Sequence, residues 1–174
     1  MRTFIAVETP DAFADEVAGI SRQLATAIQA RFVPRSNYHA TLAFLGEIGG
    51  SEAALAVEAL EAACESRGPV ELRADGLGSF GRPNDATLWL GLYANADLAD
   101  LANRVRAELD GRGVGYEEKP FRPHVTIARR ARLPRAALPD LAFPQPVLAD
   151  RVTLYRSILD VEGAVYKPLH TVRL

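Results

Sequence analysis

The chain has 174 residues, of which 48% are hydrophobic and 24% are charged, values that are ordinary for a soluble globular protein. Its formal net charge of −2 argues against a broad, sequence-independent nucleic-acid surface, because such a surface needs many cationic contacts to phosphates. The single cysteine, Cys64, excludes an intramolecular disulfide and a cysteine-based metal site, and the lack of a long apolar run leads us to expect a cytoplasmic protein without a membrane span.

The first part of the chain predicts a strand, a helix and a second strand. Residues 2–8 are rich in Phe, Ile and Val and end before a proline, which is typical of a strand. Apolar residues at steps of three and four then predict an amphipathic helix from Asp11 to about Gln29. Residues 32–37 are predicted to be a connector into a strand over residues 38–46.

A second helix and a short strand follow. Ser51 is the predicted N-cap of this helix, which Gly68 and Pro69 would stop. Cys64 falls on its inner side and is interpreted as a small core residue. Residues 70–74 alternate as a strand. The Gly-rich segment 76–85 contains no phosphate-binding fingerprint and is predicted to be a loop at the rim of a cleft.

The second part of the chain repeats this order loosely. Residues 86–93 predict a strand with leucines on one face, and Trp89, on the other, is interpreted as a packing residue rather than a base-stacking platform. A helix over residues 97–109 and another strand come next, with at most one short helix after them. Residues 147–159 and 164–174 predict a closing hairpin.

Two of these strands carry the same motif, His39-Ala40-Thr41-Leu42 and His124-Val125-Thr126-Ile127, at a separation of 124 − 39 = 85 positions, about half the chain. Because successive side chains of a strand point to opposite faces, each His shares a face with its Thr, and the apolar residues face the core. For one motif alone, a half-buried strand with a surface histidine is the simpler interpretation. The duplication at half-chain spacing favours two strands that face one ligand.

The repeat predicts the fold class. We expect an α+β protein of two lobes, each an antiparallel sheet with helices outside, related by a pseudo-twofold axis. The motif strands would meet at the seam, with the active-site cleft between the lobes. No linker is long enough to separate independent domains, so residues 1–174 are expected to form one bilobal domain.

The distribution of charge points to an anionic ligand. No Asp or Glu occurs between Glu16 and Glu47, or between Glu118 and Asp140, and each of these windows contains one motif. A small phosphate ligand fits such a local site better than a long duplex does. Two imidazoles can act as acid and base near neutral pH, and hydroxyl and guanidinium groups can bind the non-bridging oxygens without a metal.

The duplicated motif resembles the HxTx signature of the 2H phosphoesterase superfamily. The segments RTFIAVE, HATLAFLG and PFRPHVTIAR are similar to its bacterial and archaeal RNA 2′,3′-cyclic phosphodiesterase branch, also described as 2′-5′ RNA ligase-like (LigT-like), over roughly residues 1–130. The resemblance implies hydrolysis of a terminal 2′,3′-cyclic phosphate to a 2′-phosphate in RNA processing, without metal or cofactor. The expected partners are RNA ends or nucleotides with a cyclic phosphate, and the protein is expected to be a monomer.

The resemblance also implies roles for individual residues. His39 matches the acid that protonates the leaving 3′ oxygen, and His124 matches the base that activates water. Thr41, Thr126 and Arg129 match phosphate-contacting positions. Strict alternation puts Arg129 on the face opposite Thr126, so the strand must end or twist there, and a plain surface charge is the alternative interpretation of Arg129.

Three further points are left open by the sequence. Phe44 either packs in the core, which we favour slightly, or contacts the terminal base. His170 lacks the Thr at +2 and is interpreted as structural. The alternative functions are a 2′-5′ RNA ligase, a phosphodiesterase for another small cyclic or 2′-5′ nucleotide, and a non-catalytic module that binds RNA ends.

Overall fold

Three helices pack on one face of a large antiparallel sheet in the computed structural model, which describes residues 1–174. The helices are α1 (Asp11–Ala25), α2 (Gly50–Cys64) and α3 (Ala96–Gly111). The strands are β1 (Arg2–Glu8), β2 (Gln29–Phe32), β3 (His39–Glu47), β4 (Val70–Leu72), β5 (Ala74–Arg82), β6 (Asp85–Leu92), β7 (His124–Arg132), β8 (Val147–Ala149), β9 (Arg151–Asp160) and β10 (Gly163–Arg173). The predicted α+β class is confirmed, and none of the helices is long and apolar enough to cross a membrane.

The sheet consists of two halves that meet at the two motif strands. Its strand order is β10-β9-β1-β3-β7-β6-β5, and β3 and β7 are joined through a single antiparallel pair, Ala40 with Val125. Each half contains a strand–helix–motif strand unit, β1-α1-β3 and β6-α3-β7, in which the motif strand pairs with the strand that precedes the helix. The motif strands therefore meet at the seam, as the repeat predicted.

Helix α1 is shorter than its apolar pattern predicted. Its inward residues Phe13, Val17, Ile20 and Leu24 are buried as expected. The backbone N–H groups of residues 27 and 28 both donate to the carbonyl of Leu24, which closes the helix. The prediction that it continues to Gln29 was wrong, because residues 29–32 pair with the second motif strand as β2.

The Gly-rich segment forms strand β5 and not the predicted loop. Only Pro83 and Asn84 remain as a turn between β5 and β6. Gly78 has a packing reason, since a Cβ added there would lie 2.1 Å from the ring of Trp89. The indole of Trp89 therefore lies directly against the backbone of β5. The absence of a side chain at the glycine leaves the space that the neighbouring ring occupies.

Two other boundaries differ from prediction. Helix α2 begins at Gly50, and the backbone N–H of Gly49 donates to Oε2 of Glu52 at 2.9 Å, so Ser51 lies inside the first turn and is not the N-cap. The predicted strand 147–159 is divided at Asp150, because β8 pairs with β4 in a separate two-stranded sheet. Strands β9 and β10 form the predicted closing hairpin, and no helix follows β7.

Candidate active site

The register at the seam brings the two motifs together on one face of the sheet. Because Ala40 pairs with Val125 in antiparallel orientation, His39 lies across from Thr126 and Thr41 lies across from His124. Diagonal neighbours on one face of such a pair are roughly 7–8 Å apart, a spacing that suits two groups flanking one phosphorus. All four side chains are half-buried, whereas the intervening apolar residues of both motifs are fully buried against the helices.

Both imidazoles are held by the same local hydrogen bond. Nδ1 of His39 lies 2.7 Å from the carbonyl oxygen of Asn37, and Nδ1 of His124 lies 2.7 Å from that of Arg122. A carbonyl oxygen can only accept, so Nδ1 carries the hydrogen in each ring. In the neutral form Nε2 is then the basic nitrogen of both side chains, and this is the atom available for proton transfer.

Both histidines are less basic than free imidazole. The pKa of His39 is lowered from 6.5 to about 4, mainly by burial and to a smaller extent by the nearby His124 and Arg129, although the bond to Asn37 opposes the shift. Burial is also the main cause of the lowered pKa of His124, with a contribution from Arg129. Both rings are therefore neutral at neutral pH before a ligand binds, and Arg129 lies close enough to influence both.

Aromatic rings surround His39. The ring of Phe4 lies 4.7 Å from that of His39, and Tyr166 meets the imidazole edge-on at 5.2 Å, between ring centroids. Tyr155 stacks on Phe4 with a centroid distance of 5.2 Å. These rings fix the orientation of the imidazole and account for the desolvation that lowers its pKa.

His124 has an equivalent aromatic setting in the other half. Phe80 meets its ring edge-on at 5.4 Å, and Trp89 lies at 5.6 Å. The guanidinium of Arg122 lies over Phe80 at 5.9 Å. Trp89 is a half-buried packing residue, as interpreted from the sequence, and the residue it packs against is the second motif histidine. Phe80 belongs to the segment that was predicted to be a loop.

A β-bulge places Arg129 on the same face as the histidines. Thr126 pairs with Trp89 but Ala128 pairs with Leu88, so β7 has one extra residue, Ile127, between these pairs. Ile127 and Ala128 are both fully buried, and the alternation shifts by one position after them. The conflict with strict alternation is thereby resolved, and Arg129 lines the cleft together with His39 and Thr41.

The same bulge occurs in the first motif strand and corrects the position of Phe44. Thr41 pairs with Ala6 but Ala43 pairs with Ile5, which leaves Leu42 as the extra residue. Phe44 therefore turns from the core to the cleft, where the guanidinium of Arg2 lies 4.8 Å from its ring centroid. The preference for a core position was wrong. Phe44 and Arg129 occupy equivalent positions of the repeat, 129 − 44 = 85 residues apart.

The cleft on the His39 side has a volume of about 510 Å³. Its lining includes residues that were not singled out in the sequence: Arg2, Phe4, Arg31 and Tyr166. Arg2 and Phe4 share a face of β1 by the same i, i+2 rule as the motifs, but residues 3–7 of this strand are all buried, so no alternation in β1 marked that face. Arg31 and Tyr166 reach the cleft through long-range strand pairing, which left no local signal.

Comparison with known proteins gives the family. The 2'-5' RNA ligase superfamily matches residues 9–160 of the chain. The chain belongs to this superfamily. The RNA 2',3'-cyclic phosphodiesterase of Thermotoga maritima is 32% identical over 98% of this chain and 94% of its own length.

Solved structures with similar sequences have the same fold. The crystal structure of TT0787 of Thermus thermophilus has a TM-score of 0.84 at 27% identity and covers 100% of this chain and 98% of that chain. The crystal structure of E. coli LigT complexed with 3'-AMP has a TM-score of 0.80 at 29% identity, with coverage of 99% and 97%. The resemblance recognised from the duplicated motif is confirmed.

The third histidine and the single cysteine lie outside the cleft. His170, on β10, has its Nε2 2.7 Å from Oε1 of Glu61, an exposed pair between β10 and α2. Cys64 is buried at the end of α2, and burial raises the pKa of its thiol to about 11, which keeps it protonated. No group of three or more His, Cys, Asp or Glu side chains is arranged to hold a metal ion.

Replacement of Gly78 by alanine should disturb the support of His124. The new Cβ would overlap the Trp89 ring, and moving a well-packed ring typically costs about 1–3 kcal/mol of unfolding free energy. We expect lower stability in urea, a changed fluorescence spectrum from Trp89, which is the single tryptophan, and reduced turnover.

Gly115→Ala is the matched control, because a Cβ at Gly115 meets no atom within 4 Å. It should leave the urea midpoint, the fluorescence and the turnover near those of the wild type. Wild-type stability together with wild-type fluorescence in the Gly78 variant would contradict the packing described for Trp89.

Proposed function

We propose that this protein is an RNA 2′,3′-cyclic phosphodiesterase that opens a terminal cyclic phosphate to a 2′-phosphate with His39 and His124 as acid and base. The observation that carries the proposal is the seam, where the two imidazoles lie diagonally on one sheet face, each across from a threonine hydroxyl. The shared name of the curated relatives supports the same reaction class.

The proposed step is an in-line displacement at phosphorus. Nε2 of His124 accepts a proton from water as the water oxygen bonds to phosphorus. The bond from phosphorus to the 3′ oxygen breaks, and the imidazolium of His39 gives its proton to that oxygen. The products are a 2′-phosphomonoester and a free 3′ hydroxyl, and the two histidines have exchanged protonation states.

The electrostatic part of the reaction is assigned to the other cleft residues. Thr41 and Thr126 offer hydroxyl donors on the histidine face, and Arg129 brings a permanent positive charge to both rings. Donors fixed in place before the reaction stabilise charge that develops on the non-bridging oxygens, with no reorganisation of solvent. The partly desolvated cleft strengthens these contacts relative to water.

The test is the turnover of a short RNA with a 2′,3′-cyclic phosphate, followed by identification of the oxygen that keeps the phosphate. We expect a 2′-phosphate, formed at an unchanged rate in the presence of a metal chelator. A 3′-phosphate product would contradict the assignment of the leaving oxygen. Loss of activity on chelation would replace the proposed mechanism with a metal-dependent one.

The lowered pKa values predict an acidic optimum for the free enzyme. Hydrolysis needs His39 charged and His124 neutral, and the charged fraction of His39 falls as pH rises above its pKa of about 4. We expect a bell-shaped kcat/KM with its maximum below about pH 6.5. A bound phosphate anion raises both imidazole pKa values, so the kcat profile should move to higher pH.

Initial rates across the pH range at constant ionic strength give both profiles. The two apparent pKa values belong to the coupled pair of histidines and not to either residue alone. A kcat/KM that increases from about pH 6.5 to about pH 8.5 would be incompatible with an acid whose pKa is depressed.

The aromatic surface beside His124 favours 2′-5′ ligation as a second candidate. Hydrolysis requires only water on that side, yet Phe80 is 39% exposed there and carries Arg122 on its ring. Such a surface can stack a nucleoside whose 5′ hydroxyl replaces water as the nucleophile. Incubation of cyclic-ended RNA with a 5′-hydroxyl RNA separates the outcomes, because ligation gives a 2′-5′ linkage and a pure binding module gives no product.

A further inference from the structure

Three arginines in the cleft have no acidic partner. Arg2, Arg31 and Arg129 line the cleft on the His39 side, and none of them takes part in an ion pair or a side-chain hydrogen bond. The carboxylate that shares this lining is Glu162, so the cleft has an excess of positive charge. One terminal phosphate needs fewer guanidinium groups than the cleft provides.

Arg31 and Arg129 form the most unusual part of this set. They are directly opposite each other in the pairing of β2 with β7, and both are exposed to the cleft. Like charges at directly opposed positions of an antiparallel pair are destabilising. A bound anion, or two neighbouring anionic groups, would attract both guanidinium groups and so offset this repulsion.

The proposed reaction decides which part of the substrate lies beside these arginines. In-line attack puts the leaving 3′ oxygen, and with it the ribose, on the side of His39 and opposite the water held by His124. The cleft that contains Arg31 is lined by His39 and Thr41 but not by His124. The terminal nucleoside and the chain on its 5′ side therefore continue into this cleft.

We propose that Arg31 binds the internucleotide phosphate on the 5′ side of the terminal nucleotide, and so makes the enzyme select oligonucleotide ends over cyclic mononucleotides. Arg129 would bind the terminal phosphate, and Arg31 extends from the adjacent strand to the next phosphate along the chain. Arg2 is less suited to this role because its guanidinium lies over the ring of Phe44, and Arg2 is on β1, which is separated from the strand of Arg129 by β3. This inference rests on the proposed function.

The experiment compares two substrates with the same terminal base, a 2′,3′-cyclic mononucleotide and a dinucleotide that ends in a 2′,3′-cyclic phosphate. Arg31→Met keeps much of the side-chain length and removes the charge. We expect kcat/KM for the dinucleotide to fall by about 10- to 100-fold, as for loss of a charged hydrogen-bonding partner, and that for the mononucleotide to change by less than about twofold. The wild type should prefer the dinucleotide by a similar factor.

Arg156→Met is the matched control. Arg156 lies on β9 outside the cleft, is exposed and has no ion pair, so its removal changes the net charge equally. It should leave the ratio of the two kcat/KM values unchanged. A ratio lowered equally by both variants would show general attraction of the longer anion and overturn the subsite.

Two further outcomes would also overturn it. Equal losses on both substrates in Arg31→Met would mean that Arg31 acts on the terminal phosphate. Unchanged kcat/KM values for both substrates in Arg31→Met, with the ratio lowered by Arg2→Met instead, would remove Arg31 from the subsite. Failure of the proposed function has a different signature, since the wild type would then turn over neither substrate. Calorimetric binding of the corresponding mono- and dinucleotide 2′-phosphates tests the same selectivity without turnover.

Discussion

Alanine at His39 or at His124 is expected to lower kcat on a cyclic-phosphate RNA end by about 10²–10⁴-fold, the usual contribution of one general acid or base. Each variant loses the nitrogen that transfers a proton at one side of phosphorus. The fold should persist, because each imidazole has a single hydrogen bond, to a carbonyl two residues earlier, and is half-buried. Steady-state kinetics and thermal melting by circular dichroism measure both effects.

His170→Ala is the control for these variants. It removes the third histidine of the chain together with an exposed pair to Glu61, outside the cleft. Turnover should stay near that of the wild type. Full activity in either motif variant would contradict a mechanism with two imidazoles.

A substrate with a good leaving group separates the two roles. A phosphodiester with a nitrophenolate leaving group needs little protonation of the departing oxygen. His39→Ala should therefore lose much less activity on this substrate than on RNA, whereas His124→Ala should lose similar activity on both. The opposite pattern would exchange the acid and the base. The double variant should be only slightly slower than the worse single variant, because residues that act as a unit are not additive.

The parts of the fold that obey regular periodicity were predictable from the sequence. The inward residues of α1 and the alternation of β6 each depend on burial of one face, which can be read from the order of the apolar residues. The offset of 85 residues between the motifs also predicted that their strands meet. Ala40 and Val125 are equivalent positions of the two motifs, and their pairing joins the two motif strands at the centre of the seam.

The irregular features of the strands could not be predicted from the periodicity of apolar residues. The bulges at Leu42 and Ile127 shift the alternation by one residue, and a pair of adjacent buried apolar residues is the trace they leave in the sequence. In both strands this pair precedes the residue that turns into the cleft, Phe44 or Arg129. The Gly-rich β5 was hidden for another reason, since Gly78 makes room for the ring of Trp89 on the next strand and does not form a turn.

Removal of the Arg129 guanidinium is expected to have the second-largest effect on turnover. Arg129→Met should lower kcat by about 10²–10³-fold, the loss typical for one donor that is aimed at charge developing in the transition state. Arg129→Lys keeps the charge but not the planar fork of donors, so it should recover only part of this loss. Initial rates at saturating cyclic-ended RNA measure kcat for each variant.

Arg132→Met provides the control on the same strand. Arg132 is exposed on β7 and lies outside the cleft lining, so its loss should leave kcat near that of the wild type. The bulge at Ile127 gives a second test, because it determines which face of β7 Arg129 is on. If β7 alternated strictly, Arg129 would point towards the helices and its replacement would act on stability and not on kcat. A melting temperature that falls while kcat is retained would therefore contradict both the proposed role and the bulge at Ile127 that places Arg129 beside the histidines.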